Sequence, residues 1–434
     1  MRTDSKKPRR ILILGGGFAG IYAYLELHKQ FHKQGGVEIT LVSDRDFFLF
    51  VTLIHEVATG NLLPLSITQP IRTLPHCCLT QFIQGTVQSI NLDDNRVVIQ
   101  TKEHSSLGAA ARKAATSLSY DYLILALGSE TTFFGIPGAR EYALPLKSNK
   151  DAAAIKNRIL ENFEYAQQLT SDDERSSLLR FVVIGGGPTG IELAGEIADL
   201  VNHEMRRAFP LLFRYVRVTL IQSRSRLVPL ADEWFNKKAQ YILRNKHVEI
   251  LLNTTVEAVH RDAILTSSGS ISSTNAFWTA GVQARSVDIS SRNEIQREER
   301  TRRIKVTDFL NLEKYPNVFI VGDQAWICNK ETGRPYPMRA QFATREGVCA
   351  AQNINRLIHR KNLKTFSFRD MGIIFSLGNG GALAKIFGIK FSGFFAWWLY
   401  RTAYLMKIVG SRAKFRTVVE WTLNLFYPRD ISKL

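Results

Sequence analysis

An α/β fold with two parallel-sheet domains is predicted by three observations. The strand, glycine-rich turn and helix of RRILILGGGFAGIYAYLEL recur in RFVVIGGGPTGIELAGEIADL. A second apolar strand follows each copy, VEITLVS at Val37–Ser43 and VRVTLIQS at Val216–Ser223. Elsewhere short apolar strands alternate with helical periods, the pattern of parallel sheets covered by helices. A chain of 434 residues exceeds one compact core, and 45% hydrophobic with 22% charged residues excludes a disordered or fibrous chain.

In the first copy, Ile11 to Leu14 form a buried strand, and Gly15, Gly17 and Gly20 make G-x-G-x-x-G ahead of an amphipathic helix. In the second, Phe181 to Ile184 lead into Gly185, Gly187 and Gly190. The first glycine allows a tight turn, the second lets backbone approach a pyrophosphate, and the third packs helix against strand. Unpaired N–H groups and the dipole at the helix start favour the phosphates. Two such units are two Rossmann-type domains and imply two dinucleotides. Between them a strand and small-residue turn, YLILALG, lies within Asp121–Gly128, preceded by an Ala- and Ser-rich stretch, Ser105–Ser119, that reads as a surface loop. Beyond the second copy come FWTAGV at Phe277–Val282 and NVFIVGDQA at Asn317–Ala325, a buried strand with Asp323 at its tip.

The formal charge of +18 calls for anionic partners, and without any zinc-finger, homeodomain or RNA-recognition pattern these are phosphate-rich cofactors and acidic lipid, not nucleic acid. Cys77, Cys78, Cys328 and Cys349 are too few and too oddly spaced for a disulfide framework or a structural zinc site, which fits a reducing compartment. The basic start MRTDSKKPRR runs straight into the first strand and leaves no room for a signal peptide's apolar segment, so a cytoplasmic location is expected.

Taken in order, these residues resemble the type II NADH dehydrogenases, single-subunit, membrane-attached NAD(P)H:quinone oxidoreductases, over nearly the whole chain. The resemblance rests further on FLFVTLIHEVATG at Phe48–Gly60, GPTGIELAGEI at Gly187–Ile197, WTAGV, VFIVGD and RAQFATREG at Arg339–Gly347. It implies an FAD domain in two halves, 1–150 and 283–365, with an NAD(P)H domain, 151–282, inserted between them, and a C-terminal helical membrane-attachment region, 366–434. By the same resemblance FAD meets Gly15, Gly17, Phe18, Ala19, Gly20, Asp44, Val87, Ala126, Gly128, Gly322 and Asp323, the last on the ribityl chain. NADH or NADPH meets Gly185, Gly187, Pro188, Thr189, Gly190, Gln222, Arg224 and Gly281. Glu192, placed in the first turn of its helix, stands beside nicotinamide and flavin, positions the nicotinamide and handles the quinone's proton; Glu196, one turn on, reads as structural. The implied reaction passes a hydride from NAD(P)H to FAD and two electrons to a membrane quinone, without proton pumping.

Three other readings remain. A flavin-dependent disulfide reductase needs a C-x-x-C-like pair, and Cys77 and Cys78 are adjacent. A sulfide:quinone oxidoreductase needs flavin-facing cysteines, for which Cys328 and Cys349 are the candidates. A low-turnover, nucleotide-sensing flavoprotein would bind both nucleotides without passing electrons to quinone.

Both nucleotide units depart from the pattern in which an acid ends the second strand and bonds the adenosine ribose. The first has Ser43, then Asp44, Arg45 and Asp46; the second has Gln222, with Arg224 and Arg226 following. A carboxylate repels a 2′-phosphate, whereas a neutral Gln beside arginines accommodates it. In the quinone segment Ala340 and Gln341 match the family, but Arg345 stands where a second glutamine is expected, and Leu377 and Gly378 match an apolar tunnel pair.

From Ile373 the chain becomes aromatic and basic. The longest uncharged run, Phe391–Tyr400, is ten residues, half the about 20 that span a bilayer. From Lys390 to Leu434 eight basic residues (Lys390, Arg401, Lys407, Arg412, Lys414, Arg416, Arg429, Lys433) face Glu420 and Asp430. Each basic residue near an anionic leaflet contributes roughly 1 kcal/mol. With Phe394, Phe395, Trp397, Trp398 and Trp421 inserting, this predicts peripheral attachment on the cytoplasmic side of the inner (plasma) membrane, part of the apolar face packing instead on the core or on a second copy in a homodimer.

The Gln222 departure yields a first prediction: NADPH serves as an electron donor. Steady-state kinetics with both nucleotides check it, and a strong preference for NADH would contradict it.

Overall fold

The computed structural model describes residues 7–33, 35–75, 80–102, 113–229, 231–368 and 372–433. The chain sorts into two compact units, one of residues 1–49, 69–130 and 282–369, the other of 50–68, 131–281 and 370–434.

The first unit is built on a five-stranded parallel sheet ordered Val318–Ile320, Tyr122–Leu125, Arg9–Leu14, Val37–Ser43, Thr80–Gln84. Ile11 to Leu14 are fully buried, as a central strand covered on both faces must be. The helices Phe18–Phe31 and Ala340–Ile358 pack on one another, and Gly347 allows it: a Cβ there would stand 2.1 Å from the Ala19 carbonyl oxygen. Leu12, Leu14, Leu123 and Leu125 share a core with Ile90, Val97 and Ile99 of a four-stranded sheet ordered Asp288–Ser290, Thr86–Asn91, Arg96–Lys102, Lys113–Ser119. Here the expected loop Ser105–Ser119 is corrected. Lys113–Ser119 is a strand in antiparallel register with Arg96–Lys102, because an alternating run needs only Leu118 against the core; residues 103–112 lie outside the described ones.

The second unit repeats the plan with a parallel sheet ordered Ala143–Pro145, Asn275–Trp278, Arg180–Ile184, Arg217–Ile221, Val248–Leu251, and with the helix Pro188–Leu200 packed on it. The helix Asn149–Gln168 begins with a reciprocal capping box between Ser148 and Asp151. An antiparallel sheet, Gly372–Ser376, Ala382–Ile386 and Ile389–Ser392, precedes two last helices, Phe394–Lys407 and Ser411–Phe426. Gly195 lets the segment after Ser376 lie on the Pro188–Leu200 helix, since a Cβ would stand 2.5 Å from the Leu377 carbonyl oxygen.

These units differ from the boundaries expected from sequence. Residues 50–68, 131–150 and 370–434 all group with the second nucleotide loop. The short helix Ile54–Val57 explains the first of these, because its His55 and Glu56 are buried among polar partners of that unit. Among the described residues, no helix is long and apolar enough to cross a membrane.

The substitution Gly347→Ala must push the two helices of the first unit apart, and overpacking of this kind costs ~1–3 kcal/mol. A lower melting temperature is expected on thermal denaturation.

Candidate functional site

The two glycine turns are near copies in geometry. Gly15 has φ +118° and Gly185 φ +111°, where an L-residue is strained. A Cβ at Gly15 would stand 2.1 Å from the Ala126 carbonyl oxygen, and one at Gly185 2.6 Å from Ala280 Cα. Gly20 and Gly190 would each put a Cβ 1.8 Å from the carbonyl oxygen of the first glycine of their own loop. Gly17 and Gly187 behave differently, because a Cβ there meets no protein atom. Packing does not require glycine at these two positions, which are the helix N-caps, whereas a phosphate approaching the N–H groups does. Neither helix has an acid in its first turn to compete with an anion.

Around the first loop, Phe18 sets its ring edge-on to Phe48 at 5.0 Å, and Ala19 is buried. Buried Ser43 ends the second strand beside Gly16, and the next residue, Asp44, pairs with Arg285 at 2.9 Å and Arg45 at 3.6 Å. Partial burial opposes ionisation of Asp44, yet the Arg285 and Arg45 charges prevail and hold its carboxyl below the usual range. Ala126 is buried, Gly128 has φ +72°, and Val87 lies at a bulge in its strand. Asp323 accepts a hydrogen bond from Ser129 Oγ at 2.5 Å. Gly322, at φ +68°, donates its N–H to Glu346 at 2.6 Å. The chemistry of this set suits FAD: an open phosphate turn, an acid just past the second strand and an acid on the VGD turn.

Glu346 escaped the sequence reading. Burial pushes its carboxyl up to about 8, with the Gly322 N–H and Arg303 opposing and Asp323 adding to the rise. The available signal was an acid on the apolar stripe of an otherwise amphipathic helix, flanked by buried Ala343, Gly347 and Ala350. On the same helix Gln341 is half-buried, and Arg345, four residues on and exposed, places its guanidinium 5.7 Å from the Phe368 ring centre.

At the second loop, Pro188 opens the helix and half-buried Thr189 follows. Thr279 Oγ1 donates towards the carbonyls of Ile184 and Gly185 at 2.9 and 3.1 Å, bracing the turn, and Gly281 sits where a Cβ would strike the Phe134 ring. Gln222 is buried at the end of its strand. Its Oε1 accepts from the Gly186 N–H at 3.4 Å and its Nε2 donates to the Arg226 carbonyl at 3.1 Å. Arg226 is turned to the Pro229 carbonyl, 2.8 Å, and Glu233, 3.9 Å. Arg224 is exposed, which leaves it as the basic side chain for a phosphate at this edge.

Glu192 is the fifth residue of its helix and lies beyond the first turn, a correction to the sequence reading. The macrodipole fades within that turn, so dipole compensation does not account for this acid. Glu192 is buried, with His55 Nδ1 3.7 Å from its Oε2 and the Ser376 N–H on its carboxylate. Burial drives its pKa well above normal, and Glu56 and Glu196 push the same way. Glu196 meets the opposite fate. Arg429 donates to it at 2.7 Å, and that guanidinium outweighs burial and holds it below the usual range. Asp199 is paired with Lys246 and accepts from the Asn379 N–H. Buried Leu377 and Gly378, φ +91°, are brought against Gly195 and Asp199 of this helix, whose first acid is Glu192.

The two last helices divide the expected membrane face. Phe394 and Phe426 are 69% and 77% exposed, with Phe395, Trp398 and Phe415 also outward. Trp397 and Trp421, expected to insert, are only 6% exposed; Trp421 donates its indole N–H to Glu56 at 2.8 Å. Arg401 stacks on both rings, 3.8 and 4.9 Å from their centres, and Arg429 is buried, so neither is among the charges of the outward face. Cys328 is exposed and Cys349 buried with its thiol pushed up to about 11 by burial, while Cys77 and Cys78 lie outside the described residues.

Comparison with known proteins agrees with this geometry. Residues 9–347 match the family described as pyridine nucleotide-disulphide oxidoreductase. A probable NADH dehydrogenase of Dictyostelium discoideum is 31% identical over 98% of this chain and 91% of its own. A type II NADH:quinone oxidoreductase of Mycobacterium tuberculosis is 31% identical over 98% and 90%. In fold, the structure of NDH2 from Plasmodium falciparum in complex with NADH superposes with a TM-score of 0.88 at 20% identity, covering 98% of this chain and 100% of that one.

Replacing Arg429 by Met strands Glu196 in the interior without its cation, and losing one partner of a buried ion pair costs ~3–5 kcal/mol. Thermal or urea denaturation is expected to register that loss, and Glu196→Gln in the same chain to restore part of it.

Proposed function

Because this chain belongs to the pyridine nucleotide-disulphide oxidoreductases and, among them, to the type II NADH dehydrogenases, we propose that it is an FAD-dependent NAD(P)H:quinone oxidoreductase. The observation that carries this reading is the pair of strand–turn–helix units whose middle glycines, Gly17 and Gly187, face no protein atom. Bound FAD supplies the chemistry: it takes a hydride from NAD(P)H and returns two electrons to a quinone.

The residues of this chain have separate tasks in that scheme. Gly15, Gly17 and Gly20, with Phe18 and Ala19 at the helix start, hold the FAD pyrophosphate; Asp44 bonds the adenosine ribose and Asp323 the ribityl chain, with Val87, Ala126, Gly128 and Gly322 allowing close approach. Gly185, Gly187, Pro188, Thr189, Gly190 and Gly281 receive the nicotinamide nucleotide, with Gln222 and Arg224 at its adenosine end. Glu192 orients the nicotinamide and holds a proton for the quinone. Gln341, Arg345, Leu377 and Gly378 are the residues offered to the quinone.

Peripheral attachment is part of the same reading. Phe394, Phe395, Trp398, Phe415 and Phe426 are exposed, and Lys407, Arg412, Lys414 and Arg416 come from the same two helices. An anionic leaflet at the cytoplasmic side of the inner membrane fits that mixture.

The test separates the two half-reactions. Mixed anaerobically with NADH or NADPH, the purified holoenzyme is expected to lose its oxidised-flavin absorbance, and to regain it when quinone is added. A flavin that is reduced but not reoxidised by any quinone would favour the nucleotide-sensing reading.

A further inference from the structure

Reduction of a quinone by NAD(P)H consumes one proton beyond the hydride: NAD(P)H + H⁺ + quinone gives NAD(P)⁺ + hydroquinone. On the reading above, Glu192 delivers that proton. Its O–H bond breaks, the proton joins a quinone oxygen as the electrons arrive, and a carboxylate remains in a buried, acid-rich place until solvent reprotonates it. Something must make that carboxylate tolerable.

The charges nearby do not. Glu56 and Glu196 both disfavour it. Arg429 is committed to Glu196, Asp199 and Glu204, and Lys246 to Asp199. Arg401 stacks on Trp397 and Trp421 and acts on Glu56 and Glu196. What does face Glu192 is a pair of neutral donors, the Ser376 N–H and the His55 ring, whose Nδ1 lies 3.7 Å away. Gaps of this size tighten when a catalytic complex forms.

The far side of the ring offers a hydroxyl that can select which nitrogen carries the proton. His55 Nε2 lies 3.3 Å from the Tyr400 hydroxyl, and both side chains are fully buried. Burial holds the imidazole neutral by lowering its pKa to about 4, Glu196 opposing. A neutral imidazole has one donor and one acceptor nitrogen. A hydroxyl that donates to Nε2 leaves the ring proton on Nδ1, aimed at Glu192.

We propose that His55 and Tyr400 are positioning residues for quinone reduction: Tyr400 fixes the tautomer in which His55 Nδ1–H faces Glu192, and that N–H stabilises the carboxylate left after proton transfer. Tyr400 lies on the Phe394–Lys407 helix, so this helix serves the chemistry as well as attachment.

The inference rests on the quinone reductase reading, and the experiment separates their failures. In ¹⁵N-histidine NMR of the holoenzyme, identified by its loss in His55→Asn, the His55 ring should carry its proton on Nδ1, and Tyr400→Phe should mix the tautomers. In stopped-flow reoxidation of the reduced flavin by a short-chain quinone, followed against pH, His55→Leu should lower the rate plateau about tenfold. It should also move the alkaline limb up by about one unit, the loss of one hydrogen bond to a charge. His55→Asn, whose amide N–H can stand in for Nδ1–H, should recover most of the rate and should not respond to Tyr400→Phe. A ring proton on Nε2, a pH profile unmoved by His55→Leu, or an equal effect of Tyr400→Phe with His or Asn at position 55 would each overturn the proposal. A parent enzyme whose flavin no quinone reoxidises would instead overturn the functional reading, and the NMR result would still decide the tautomer.

Discussion

Three acids on one buried helix are the constraint around which the second unit is organised. Glu192, Glu196 and Asp199 recur at spacings of four and three residues, hence on one face, and the interior cannot hold three unpaired carboxylates there. Two are given cations, Glu196 by Arg429 and Asp199 by Lys246. Of the three, Glu192 alone has no lysine or arginine partner, and burial drives it well above the usual carboxylate range; burial raises Asp199 too, with Lys246 opposing. One helix thus carries an acid that Arg429 holds ionised, one turn from an acid that burial favours in its protonated form.

The partners of these acids explain why so much of the C-terminal segment packs where it does. Glu420 accepts from the Leu63 N–H and Ser66 Oγ, Thr417 donates to the Ser66 carbonyl, and Asn424 donates to the Asn61 carbonyl. Trp421 reaches Glu56. These bonds seat the last helix on residues 61–66, and the tail beyond it delivers Arg429 to Glu196. The outward face of the same helices keeps Phe415 and Phe426, so one segment provides buried polar clamps on one side and an apolar surface on the other.

The glycine turns show a second economy. The same backbone distances recur in both units, 1.8 Å from a Cβ at the third glycine to the first glycine's carbonyl oxygen. Helix and strand can approach this closely only without a side chain, and the closeness is what aims the helix N–H groups past the middle glycine. The two units therefore share the backbone geometry of their turns and differ in the side chains just past the second strand, Asp44 in one and Gln222 with Arg224 in the other.

The sequence by itself determined the two nucleotide units, because glycine spacing between an apolar strand and a helix is a local constraint that needs no partner elsewhere. It also determined that a charged aromatic segment closes the chain. It could not apportion that segment, since Trp397 and Trp398 are neighbours in sequence and only packing turns one in and the other out. Lys113–Ser119 reads as loop in sequence for the same reason: its small residues become a strand only because Arg96–Lys102 offers an edge. The burial and raised pKa of Glu346 and the closeness of His55 to Glu192 and Tyr400 likewise come from tertiary structure. Burial and long-range neighbours set a carboxyl's charge or an imidazole's tautomer, and neither is written in the residues beside it.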